Sequence, residues 1–288
     1  MQMSDVDFSK LETLSVSIDQ HIAHIQLSRP DALNSMIPLF WQELPQTVRK
    51  IDEQSAARVI VISSQGKHFS AGMDLSVFAQ MSQDFSGEPA RRAERLRRMV
   101  LELQDSFNAL ESVRIPVLVA VQGGVIGGAV DMICACDSRY CTQDAFFTIK
   151  ETEIGMTADV GTLQRLPHLI PQGLVRELAY TGRNMFSDEA KTCGLVNQVF
   201  SDQASMLAGV MKIAAKIASH SPMAVAGCKE MINYTRDHSV ADALTYMATW
   251  QSGMFQMPDI QEAMVAQKEK RLPQYPELHK NISGMQGK

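Results

Sequence analysis

The sequence predicts an α/β fold that carries its chemistry in residues 1–202, followed by an all-helical segment over 203–288. Three observations lead there. Residues 58–63 (Arg-Val-Ile-Val-Ile-Ser) and 115–121 (Ile-Pro-Val-Leu-Val-Ala-Val) are near-continuous apolar runs, as strands covered on both faces require. Each run leads into a glycine-bearing loop and then into helical sequence, so one unit repeats, and such units build α/β architectures. Beyond Asp202 only helical patterns follow.

Each element has its own local reason. Residues 13–27 alternate apolar and polar on both sides of Asp19-Gln20, the pattern of an antiparallel hairpin. Ser35 is a candidate N-cap for an amphipathic helix reaching about Lys50, which Pro45 should kink or split. The loop Gly66-Lys67-His68-Phe69-Ser70-Ala71-Gly72-Met73-Asp74-Leu75 follows a buried strand, and its small residues leave main-chain N–H groups free to face a ligand. A tight turn explains the same residues; His68 is either a base or a bystander. Arg91, Arg92, Arg95, Arg97 and Arg98 run into a helix over 99–110. A solvated helix face is the ordinary use of such a run, with phosphate or RNA binding as the alternatives. Residues 171–181 read as a helix, Ser187 caps a short one that stops at Gly194, and 195–200 is a last strand. Helices follow at 204–220, 222–235, 240–255 and 259–271, with Ser221 and Pro222 opening the second. Their Met- and Ala-rich stripes suit a core or a contact with sister subunits.

Composition bounds the rest. With 45% hydrophobic and 20% charged residues over 288, the chain has ordinary globular composition, and a net charge of −5 argues against a general nucleic-acid binder. No run reaches membrane-spanning length, the N-terminus lacks a basic start and apolar core, and the final Met-Gln-Gly-Lys is no peroxisomal address. Five unevenly spaced cysteines fit a reducing compartment, and the expectation is a cytoplasmic protein without a membrane partner. Cys134, Cys136 and Cys141 read as small apolar fillers rather than a metal cluster.

The chemistry concentrates in residues 123–161. Asp131 sits inside the apolar run Ala129, Val130, Met132, Ile133; Glu151 closes the strand-like 145–149; Asp159 lies in the loop bounded by Gly155 and Gly161. Carboxyls in apolar settings have raised pKa values, which suits proton transfer near neutrality. A helix-terminal acid and two loop solvators would be the structural alternative. P-loop, GxGxxG, GxSxG and His-rich metal patterns are all missing. Glycine loops with carboxyls but no nucleophile point to acid–base chemistry beside an oxyanion hole.

Gly66-Lys67-His68-Phe69-Ser70-Ala71-Gly72-Met73-Asp74 with Gly123-Gly124-Val125-Ile126-Gly127-Gly128-Ala129-Val130-Asp131 resembles the crotonase (enoyl-CoA hydratase/isomerase) superfamily. The stretch from Arg139 to Glu151, then Ala158-Asp159-Val160-Gly161-Thr162-Leu163-Gln164-Arg165-Leu166-Pro167, is similar in particular to its dienoyl-CoA isomerase branch. The resemblance implies a crotonase-like spiral of ββα units with a C-terminal helical trimerisation segment, assembled as a homotrimer or a dimer of trimers. It implies an isomerase of fatty acid β-oxidation acting on an acyl-CoA thioester, with no cofactor beyond the CoA of the substrate. By position, the N–H groups of Ala71 and Gly128 would form the oxyanion hole, and Ser70, Ala71, Gly72, Met73 and Asp74 would line the thioester site. Glu151 falls where the family keeps a catalytic Glu, Asp131 where hydratases keep their other Glu, and Asp159 on the extra acid of the dienoyl isomerases. Ala129 departs from a common third glycine. Glu151 would then take the α-proton and Asp159 return one at C6. An enoyl-CoA hydratase and, more remotely, an RNA-binding or scaffolding relative are the alternatives. Met73, Met81, Met99 and Met156 suit a pliable acyl pocket or plain core packing.

Overall fold

The computed structural model describes residues 8–77 and 88–280. Met81 lies outside them. The hairpin is present: β1 (Leu14–Asp19) pairs antiparallel with β2 (Ile22–Leu27). Its two turn residues, Gln20 and His21, both have positive φ (46° and 64°), as a twisted two-residue hairpin turn requires. β3 (Val59–Ser64), β4 (Val117–Val121), β6 (Ser138–Thr142) and β9 (Gln198–Phe200) extend it into a six-stranded sheet in the order β1-β2-β3-β4-β6-β9, parallel from β2 onward. β3 and β4 are buried at every residue, which is why they read as unbroken apolar runs.

A second sheet joins β5 (Gly124–Ile126), β7 (Phe146–Thr148), which is the strand-like 145–149 of the sequence, and β8 (Met185–Phe186). These strands are two or three residues long, too short to show a period. Isolated bridges Ser70–Val125 and Met36–Met73 tie the 66–74 loop to this sheet and to the chain at Met36.

Helix α1 (Phe40–Glu53) begins five residues after the expected cap, because the Ser35 hydroxyl donates to Asp74 Oδ2 (2.7 Å) instead. Nor does Pro45 split it. Proline removes the N–H that would bond Trp41 C=O, and the Ser106 hydroxyl of α2 (Pro89–Ser112) supplies a donor at 2.9 Å. α2 is capped by Glu88, which accepts from the N–H groups of Ala90 and Arg91, and its five arginines are solvent-exposed.

α3 (Gly128–Cys134) follows β5, α4 (Thr162–Arg165) follows the acid loop, and α5 (Gln172–Thr181) and α6 (Ser187–Thr192) flank β8. The main core fills the space between the large sheet, the small sheet and α1, α2 and α3. Its other face is covered by α7 (Gln203–Ala218), whose Met206, Val210, Ala214 and Ala218 pack on Val59, Val61, Leu118 and Ala120. The boundary expected at 202 therefore fails for this helix: it belongs to the core. α8 (Pro222–Asp237) is pinned to the core by buried Lys229, whose Nζ donates to Leu110 C=O, Ile115 C=O and Asp137 Oδ2 at 2.9–3.1 Å. α9 (Val240–Met254) and α10 (Met257–Glu269) complete the helical segment, and the chain then returns to place Glu277 on buried Arg58. Among the described residues no helix is long and apolar enough to cross a membrane, and no cluster of His, Cys, Asp and Glu could hold a metal ion. Cys134, Cys136 and Cys141 are buried and free.

Candidate active site

Asp131, Glu151 and Asp159 come from three elements. Asp131 stands on α3 and is almost wholly buried; its Oδ1 accepts the Thr162 N–H at 2.6 Å. Burial pushes its carboxyl up to about 6, the Thr162 bonds and nearby Arg165 pulling the other way while Asp159 adds to the rise. Glu151 opens the 3₁₀ turn Glu151–Ile154 directly after β7. Its carboxyl is raised to about 7, first by burial and then by the charges of Asp131 and Asp159. Among the described residues its Oε2 is buried without a hydrogen-bond partner, a costly arrangement that a ligand or a proton would relieve. Asp159 is half-buried and also raised, chiefly by desolvation. The charges of Asp131 and Asp159 are both felt at Glu151, so the three acids share one field rather than solvating separate loops.

The amide side differs from expectation in one residue. The Ala71 N–H donates to Leu33 C=O at 2.9 Å, and the Gly72 N–H to Ser70 Oγ at 3.1 Å. Gly72 C=O and Asp74 N–H then both face Met36 (2.8 and 3.2 Å), which turns the Met73 N–H to the opposite side of the strand. Among the described residues, neither Met73 N–H nor Gly128 N–H donates to a backbone or side-chain acceptor. These two amides are neighbours: a Cβ built on Gly128 would stand 3.8 Å from Met73 N, and one on Gly72 3.2 Å from Gly128 N. The free donor pair is Met73 with Gly128, not Ala71 with Gly128. Two glycines make it possible. Gly72 (φ +79°) passes so close to β5 that a Cβ would meet Ile126 C=O at 2.4 Å. Gly127 (φ +53°, ψ −121°) has a backbone that only glycine adopts readily, and a Cβ there would stand 3.2 Å from Glu151 Oε1. Glu151 and the two amides thus converge on Gly127–Gly128. Such a site can hold negative charge on a carbonyl oxygen while a carboxylate removes the neighbouring proton.

An Enoyl-CoA hydratase/isomerase family model matches residues 17–278. The chain belongs to the enoyl-CoA hydratase/isomerase family. It is 45% identical over 272 residues to the mitochondrial Δ(3,5)-Δ(2,4)-dienoyl-CoA isomerase of Mus musculus, covering 94% of this chain and 83% of the relative. It is 40% identical to the peroxisomal Δ(3,5)-Δ(2,4)-dienoyl-CoA isomerase of Arabidopsis thaliana, covering 96% of this chain and all of the other. The crystal structure of enoyl-CoA hydratase from Bacillus anthracis superposes with a TM-score of 0.82 at 31% identity, over 94% of this chain and all of that one. The crotonase fold expected from the glycine loops is the fold found. The cytoplasmic expectation is overturned, since these isomerase relatives are mitochondrial or peroxisomal.

Other expected site residues of this hydratase/isomerase serve the scaffold. Ser70 is fully buried, donating to Asn34 C=O (2.8 Å) and accepting from Gly72 N–H. Asp74 accepts from the Ser76 N–H and hydroxyl and from Ser35 Oγ, bonds that hold its carboxyl down to about 2; it caps the next turn. His68 Nδ1 accepts the Gly124 N–H at 2.8 Å, so that nitrogen is no base. Ala129 is buried in the main core, which takes up its methyl group. Met73, Met99 and Met156 are half-buried. No local pattern marks Asn34, whose Nδ2 donates to Gln65 C=O and His68 C=O, or Gln122, which bonds Ser64 and Gly66. Met36 and Trp41, beside Gly128, were equally hidden.

Proposed function

We propose that the protein is a dienoyl-CoA isomerase of fatty acid β-oxidation, converting 3,5-dienoyl-CoA into 2,4-dienoyl-CoA. The observation that carries this reading is Asp159: a third acid in the field of Glu151 and Asp131, where hydration across one double bond needs only two. The names of the mouse and Arabidopsis relatives support the same choice. The thioester carbonyl accepts from the Met73 and Gly128 amides, each donor contributing about 3 kcal/mol to the developing charge. Glu151 takes the C2 proton, the C2–H electron pair becomes the C2–C3 double bond, the C3–C4 double bond moves to C4–C5, and the C5–C6 pair forms the new bond to hydrogen at C6. Asp159 gives a proton to C6. Asp131 acts through its charge, which keeps Glu151 basic enough to take the proton near neutrality. The scheme calls for no cofactor beyond the CoA that the substrate carries. A homotrimer or dimer of trimers completes the proposal, supported by the exposed Val240, Leu244, Met264 and Val265 of α9 and α10.

The test is to assay 3,5-dienoyl-CoA and 2-enoyl-CoA side by side by ultraviolet absorbance, where a conjugated 2,4-diene is directly visible. Isomerisation well above hydration is expected. Hydration without isomerisation would replace the reading with that of an enoyl-CoA hydratase.

A further inference from the structure

The acid loop is clamped from behind by one face of α2. Gln104, Asn108 and Glu111 lie at i, i+4 and i+7 on that helix and therefore share a stripe. Gln104 Nε2 donates to the Asp159 carbonyl at 2.7 Å. Arg165 Nη2 donates to Asn108 Oδ1 (2.5 Å) and to Glu111 Oε2 (3.1 Å), while its Nε reaches Glu111 Oε2 at 3.3 Å. Its side chain is only 12% exposed. On the opposite edge, Nη1 lies against Gly161, where a Cβ would meet it at 2.0 Å, so glycine there (φ +132°) is the room the guanidinium occupies. Gly161 C=O in turn accepts the Arg165 N–H, and the next residue, Thr162, is the one whose N–H holds Asp131. Glu111 Oε1 also accepts from Arg236 of α8, so the clamp is anchored in the C-terminal helices.

We propose that Arg165 is a positioning residue for the acid cluster: gripped by Asn108 and Glu111, it fixes the Gly161–Thr162 turn and thereby where Asp131 and Asp159 stand relative to Glu151. The inference rests on the isomerase reading for its assay. None of Arg165, Asn108 and Glu111 is among the proton-transferring groups. The charged and titratable groups facing Arg165 include Glu111, Arg236, Asp131, Cys134, across a 290 Å³ cavity His168 and Asp237, and across a second cavity Asp137 and Arg139. Only Asp131 among them belongs to the acid cluster.

The deciding readout is the ratio of C2-proton exchange with solvent deuterium to isomerisation, because a displaced Asp159 loop impairs delivery at C6 more than removal at C2. In Arg165→Met, kcat for 3,5-dienoyl-CoA should fall about 10–100-fold with KM within about twofold, the scale expected for a misplaced catalytic group. The exchange-to-isomerisation ratio should rise at least about fivefold. Arg165→Lys keeps the charge but loses the fork and should recover only part of the loss. Should Arg165→Met fail to fold, Asn108→Ala, at an exposed position, removes one arm of the clamp and should raise the same ratio. A folded Arg165→Met, or failing that Asn108→Ala, whose ratio equals the parent's overturns the proposal. Turnover of 3,5-dienoyl-CoA by the parent reads the isomerase assignment separately.

Discussion

On the amide side of the site, around Gly72 and Gly127, the working groups are main-chain N–H donors held in place by bonded neighbours: Ala71 to Leu33, Gly72 to Ser70, Gly124 to His68. On the acid side, from Glu151 to Thr162, the working groups are side chains whose charge is opposed by burial and by one another, one oxygen lacking a hydrogen-bond partner among the described residues. The amide side is a fixed dipole that needs no reorganisation when charge develops on a substrate. The acid side stays reactive because it is unsatisfied. Rigidity and frustration are thus divided between two arms that meet at Gly127–Gly128.

The largest break in that comparison is Asp159→Asn. It leaves the amide side intact and removes a transferable proton, so isomerisation should fall by about 10²–10⁴, checked by diene absorbance on a variant of parental circular dichroism. Next comes Gly72→Ala on the other arm. Its methyl group has nowhere to go against Ile126 C=O, so the Met73 amide must shift; turnover should drop by about 10²–10³, as for loss of one oxyanion donor. Thermal stability should drop with it, by about 1–3 kcal/mol. If both variants isomerise like the parent, the arms have been misassigned.

The smallest effect is in stability and has the opposite sign. Asp131 ionises near 3.8 when unfolded but near 6 in the fold. The stability linked to its proton is therefore complete below pH 4 and lost as pH rises through 6. Asp131→Asn, which can still accept from Thr162 N–H, should match the parent at pH 4 and exceed it at pH 8 by about 1–3 kcal/mol in denaturant titrations. A variant that is less stable at pH 8 would show that the buried carboxylate is not a cost to the fold.

The two arms were not equally legible. Glycines at 72, 127 and 128 and acids at 131, 151 and 159 are singled out by residue type and setting, which a reading of the sequence alone can do. Which amide of the 66–74 loop is free depends on hydrogen bonds to Leu33 and Met36, more than thirty residues away, and no local pattern encodes those partners. That is how Ala71 took the place of Met73. Long buried strands such as β3 and β4 announced themselves, whereas of the small sheet under the site only β7 showed, as the strand-like 145–149; its two- and three-residue partners did not. Helix α7 was recognised as a helix but assigned to the wrong layer, because a Met- and Ala-rich stripe fits a sheet face and a subunit contact equally well. Pro45 predicted a break that the Ser106 hydroxyl, contributed by another helix, makes unnecessary.

Deuterium partitioning in heavy water addresses the division of labour between the acids most directly. Parent, Glu151→Gln and Asp159→Asn are each incubated with 3,5-dienoyl-CoA in deuterated buffer, and deuterium at C2 and C6 is followed by NMR. The account predicts that Glu151→Gln loses exchange at C2, while Asp159→Asn keeps C2 exchange and fails to form the 2,4-diene. Persistent C2 exchange in Glu151→Gln, or undiminished labelling at C6 in Asp159→Asn, would contradict it.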